Sequence, residues 1–108
     1  MTEPTQDELA VLQQCEMALH DIPEPARGRM SATLYNRLMG EGRAVYGPLD
    51  LATETRNFRV EAGQEAADQL HYTAAEAVEA LRQGRAIPDE IEALNLIARA
   101  WYLLGGVA

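Results

Sequence analysis

At 108 residues, 47% of them hydrophobic and 24% charged, the chain has the makeup of one ordinary globular domain over residues 1–108, and not of a disordered segment. Seventeen Asp and Glu against nine Lys and Arg leave a net charge of −8, which excludes nucleic-acid binding through a basic surface. No run approaches the roughly 20 apolar residues of a membrane span, the N-terminus MTEPTQDEL has no signal-peptide pattern, and Cys15, the one cysteine, cannot form an internal disulfide. A cytoplasmic location with no membrane partner is expected.

Four helices are predicted. The first runs from about Asp7 to His20: Thr5 and Glu8 have capping-box spacing, and Leu9, Leu12, Cys15 and Leu19 recur at helical intervals. Cys15 is therefore expected to be a buried, inert thiol. The stretch Asp21-Ile22-Pro23-Glu24-Pro25 breaks the helix, since proline has no N–H to donate and restricts its predecessor. A second helix is expected from about Pro25 or Ser31 to Glu41, with Met30, Leu34 and Leu38 on one side, ended by Gly40 and Gly42. Ala44 to Asp50 has strand-like residues but no second strand to pair with, and reads as a loop.

The third helix dominates, from about Leu51 to Gln83, with Gly63 as its weak point. Pro88 suits the first turn of a fourth, Asp89 and Glu90 favour its positive end, and Gly105-Gly106 stop it. Short connections make an all-α, antiparallel bundle of about four helices with one long central helix the expected fold.

At 100° per residue, Glu54, Glu61, Glu65, Asp68, Tyr72, Glu76 and Glu79 fall within one sector of the third helix roughly 80° wide. Ala66, Leu70, Ala74, Ala77, Val78 and Leu81 lie opposite and are expected to face the core. A solvated face explains such a ridge simply. Yet like charges at i and i+4 repel, and few cations are interleaved. Glu65 and Asp68 also have the spacing with which carboxylates on adjacent turns share a divalent cation.

Tyr46-Gly47-Pro48-Leu49-Asp50-Leu51, Arg56-Asn57-Phe58, Glu61, Glu65-x-x-Asp68 and Tyr72 together resemble a pattern in small phage-encoded proteins of the MazG-like, all-α nucleoside triphosphate pyrophosphohydrolase superfamily. The resemblance covers about residues 42–72. It implies a helical bundle, usually dimeric or tetrameric, in which an E-x-x-E and an E-x-x-D pair hold Mg²⁺ and a metal-activated water cleaves a nucleotide between its α and β phosphates. Carried over by position, Glu65 and Asp68 would be the catalytic metal-binding pair and Glu61 a further Mg²⁺ ligand. Gln64 stands where the related pattern commonly has a glutamate, and Asn57 replaces a frequent aspartate. Both departures remove negative charge where Mg²⁺ needs it. Glu76-x-x-Glu79 follows the E-x-x-D pair, where the family has it first.

His71, at the edge of the apolar face, is expected to be partly buried and structural. Arg37, Arg43, Arg82, Arg85 and Arg99 are scattered cations that either contact phosphate or are merely solvated. The fourth helix has Ile91, Leu94, Ile97, Ala98, Trp101 and Leu104 on one face, with Leu96 and Leu103 nearly opposite. A helix apolar on two sides is buried on two sides, which predicts a homodimer or higher homo-oligomer with Trp101 buried. Two functions compete: a Mg²⁺-dependent nucleotide hydrolase, and a non-enzymatic phage-type accessory protein that binds a host protein or a small ligand.

Overall fold

The computed structural model describes residues 3–106. The described residues are helical with no strand among them, as expected. They form two compact units divided between Thr55 and Arg56.

The first unit opens with α1, Gln6–Ala18. Its capping box is complete: the Thr5 hydroxyl accepts from the Glu8 N–H at 3.1 Å, and the Glu8 carboxylate accepts from the Thr5 N–H at 2.8 Å. After the Asp21–Pro25 break, which contains a cis Glu24–Pro25 bond, α2 spans Ala26–Asn36. Here the expectation needs correcting. Gly40 and Gly42 do not end the helix: a π-helical turn, Arg37–Gly42, carries the chain into α3, Arg43–Tyr46. A Cβ at Gly42 would stand 3.2 Å from the Arg37 carbonyl oxygen, so the wide turn suits a residue without one. Ala44, Val45 and Tyr46 are consequently helical rather than loop, and the stop comes at Gly47, whose φ of 75° is left-handed.

Glu8, fully buried, holds this unit together. Its carboxylate accepts from Arg43 Nε at 2.9 Å and Nη2 at 2.5 Å, and from the Leu49 N–H at 3.3 Å. Alongside it, Thr5 Oγ1 donates to the Leu49 carbonyl at 2.8 Å, and Asp7 Oδ2 accepts from the Leu51 N–H at 2.7 Å. The segment after Gly47 is thereby fastened to the start of α1. Leu19 and Leu49 are the buried apolar residues of this unit, and Cys15 is half-buried rather than enclosed.

The second unit is a helical hairpin: α4, Phe58–Arg82, and α5, Pro88–Leu103. The helices run antiparallel, for Arg59 near the start of α4 donates to the Leu103 carbonyl at the end of α5 at 3.2 Å. The central helix begins seven residues later than the composition of residues 51–57 suggests, because Asn57 caps it: its side chain accepts from the Val60 N–H at 3.2 Å. Gly63 neither kinks nor breaks the helix. Its seam against α5 is built from small residues, with Ala66, Ala77 and Ala80 buried. Leu70 and Ala74 are half-buried, whereas Val78 and Leu81, expected in the core, are exposed.

The Glu8 cluster yields a stability prediction. Hydrogen bonds from Arg43 hold the Glu8 carboxyl at a pKa of about 2, below its ordinary 4.5; burial opposes the shift, and the Thr5 and Leu49 N–H groups add to it. A depressed carboxylate pKa contributes stability that is complete above the unfolded value and disappears as pH falls toward the folded one. Stability should therefore fall between pH 4.5 and about 2. Arg43→Ala should cost about 3–5 kcal/mol in urea denaturation at pH 7, since it strands a buried carboxylate, and should flatten that acid limb.

Candidate functional site

The ridge on α4 takes its register from the Asn57 cap. Glu61 lies in the first turn, where a carboxylate is favoured by the positive helix end. Glu65 and Asp68 follow at four and seven residues, on the same side. All three are exposed. Farther along, Tyr72 is exposed and lies tilted at 40° against the His71 ring with centroids 4.2 Å apart, and Glu76 pairs with Arg85 at 3.4 Å. Glu79 lies beside Arg82 at a shallow surface depression.

One member of the expected ridge is displaced, and His71 also departs from its expected place. Glu54 precedes the helix and belongs to the first unit, so α4 cannot align it with Glu61. His71 is exposed rather than partly buried, with Nδ1 3.4 Å from the Ala67 carbonyl oxygen.

Among the described residues, no three or more His, Cys, Asp or Glu side chains gather into a group that could hold a metal ion. Glu61, Glu65 and Asp68 share a face but, among the described residues, do not join carboxylates or imidazoles from another element in such a group. The donor chemistry nevertheless fits a hard cation. All three offer only oxygen, and Mg²⁺ commonly uses one or two carboxylates, with waters and substrate phosphates completing its shell.

The arginines divide by role. Arg43 is committed to Glu8, Arg37 pairs with Glu41 at 3.7 Å, and Arg85 with Glu76. Arg59, which no motif or periodicity singles out, spans the open end of the hairpin. It helps to line a groove of about 510 Å³ with Val60, Gly63, Gln64, Trp101 and Leu104. Trp101 is half-buried there. The apolar periodicity of α5 pointed to Trp101, whereas the Gly63 gap that opens the groove reads in sequence only as a helix defect.

No family model, curated protein or solved structure matches this chain. No helix among the described residues is long and apolar enough to cross a membrane.

Because the cap sets the start and register of α4, Asn57→Ala should lower stability by about 1 kcal/mol. Far-ultraviolet circular dichroism should register the loss as fraying at the N-terminal end, while Asn57→Asp should retain the natural melting temperature to within a degree or two, since Asp caps as well as Asn.

Proposed function

We propose that this chain is a Mg²⁺-dependent nucleoside triphosphate pyrophosphohydrolase of MazG-like type, acting in the cytoplasm. The observation that carries the reading is the solvent-facing run Glu61, Glu65 and Asp68 on the first three turns of one unbroken helix. Its agreement with the sequence resemblance over residues 42–72 supports the assignment. Of the two departures, Asn57 is the milder, because its amide oxygen does the capping work that an aspartate would do and only the charge is lost. Gln64 removes a carboxylate next to Glu65 and weakens the set more.

Glu65 and Asp68 would hold the ion, with Glu61 one turn away as a further ligand. Bound there, Mg²⁺ supplies charge neutralisation for the phosphates and a water acidic enough to attack. The helix backbone keeps the three carboxylates in fixed order along one face.

A second reading rests on the openness of that face. With no other element bringing ligands to the three carboxylates, a phage-type accessory protein that binds a host protein or a small ligand fits the same surface.

The readings diverge experimentally. Millimolar Mn²⁺ should raise the melting temperature of the natural protein and leave Asp68→Ala unmoved. Glu65→Gln should preserve helicity while lowering turnover by at least about a hundredfold, comparable with losing one strong electrostatic contact. Release of neither pyrophosphate nor nucleoside monophosphate from any common triphosphate with Mg²⁺ or Mn²⁺ would leave the accessory reading standing.

A further inference from the structure

The groove at the open end of the α4–α5 hairpin takes no part in the metal chemistry proposed above, and its walls differ from the acidic ridge. Gly63 opens it: a Cβ added there would meet no atom within 4 Å, so a side chain's worth of space is left between the helices. Val60, Ala67, Trp101 and Leu104 give it apolar walls around about 510 Å³, the size of an ordinary small-molecule site. Trp101 is half-buried, so part of its indole faces this space.

A cation stands at the rim. Arg59 Nη2 donates to the Leu103 carbonyl at 3.2 Å, which anchors the guanidinium at the C-terminal end of α5. Gly105, with φ 104°, leaves room for it, since a Cβ there would lie 3.7 Å from Arg59 Nε. A guanidinium carries several N–H donors, and among the described residues only this one bond is made and no carboxylate pairs with Arg59. None of the groove's lining residues is acidic, and the Gln64 amide is its other polar side chain.

We propose that this groove binds a small aromatic monoanion, with its flat apolar body in the Gly63 gap against Trp101 and its carboxylate or sulfonate on Arg59.

Each part of that description answers to a part of the site. The indole and the aliphatic walls favour a ring, which gains contact area at little cost in lost rotamer freedom. The forked N–H donors of Arg59 suit a planar or multi-oxygen anion better than a neutral polar group. One guanidinium balances one negative charge. In a chain of net charge −8, further charges on the ligand would be left unmet and repelled.

Two dyes that differ by one sulfonate test the proposal on the full chain without metal or nucleotide, so the outcome is separate from that of the hydrolase reading. They are 8-anilinonaphthalene-1-sulfonate and the neutral N-phenyl-1-naphthylamine. Trp101 is the chain's one tryptophan, so energy transfer from its excited indole reports dye held in this groove. The natural protein should sensitise both dyes. Arg59→Gln should weaken binding of the sulfonate by at least about tenfold, the loss of one hydrogen bond to a charged group, and leave the neutral dye within about twofold. Arg59→Lys, which keeps the charge, should retain most of the sulfonate binding. Gly63→Leu should fill the gap and abolish transfer to both dyes while helicity is kept or raised, because leucine is the better helix former. The proposal is overturned if neither dye is sensitised, if the sulfonate binds Arg59→Gln as well as it binds the natural protein, or if both dyes weaken alike in that variant. Transfer that survives in Gly63→Leu overturns it as well.

Discussion

A carboxylate with no access to water must be satisfied where it stands, and in the first unit almost everything else follows from satisfying Glu8. Its two oxygens collect the Arg43 guanidinium and the N–H groups of Thr5 and Leu49. Those donors come from the start of α1, from α3 and from the segment beyond Gly47, three places that local sequence does not bring together. Burial alone would push the carboxyl toward its neutral form, and the donors overcome that penalty. The pair is therefore better regarded as a specification of which segments meet than as a net source of stability, since desolvation consumes much of the attraction between buried charges.

The second unit is organised on the opposite principle. Its seam contains alanines, which let two helix backbones approach closely but bury little area per residue. Close approach and small area together leave the bulk of the apolar surface of α5 on its flanks. The acidic ridge and the exposed valines Val60 and Val78 occupy different sides of α4.

The elements with local causes were legible in sequence. Thr5 and Glu8 announce the start of α1 because both halves of a capping box lie within four residues, and Pro88 with Gly105-Gly106 bracket α5 for equally local reasons. The start of α4 was misplaced because residues 51–57 contain adequate helix formers, and only the Asn57 amide closing on the Val60 N–H decides between extending the helix and beginning it there. Gly40 and Gly42 carry the usual signature of a helix end, yet a glycine also accommodates a widened turn, and tertiary context chose the latter. Glu8 was legible as a cap and illegible as a buried ion, for its partner lies 35 residues away. The alignment of Glu61, Glu65 and Asp68 follows from helical geometry alone. Whether anything meets them depends on side chains that a helical wheel does not contain.

The π-helical turn at Arg37–Gly42 has a consequence for how this chain tolerates change in length. A π turn accommodates one residue more than the α-helical turn it replaces, and each residue of an α-helix advances the side-chain direction by about 100°. Everything C-terminal to the turn is thus held at a phase set by that extra residue. Loss of a single position there, even Gly40, whose Cβ direction is open space, would restore ordinary winding and rotate Arg43 by about a quarter turn away from Glu8. Substitutions at Gly40 and deletions at Gly40 belong to different classes: the first alters a side chain in open space, the second breaks a contact made three residues farther on.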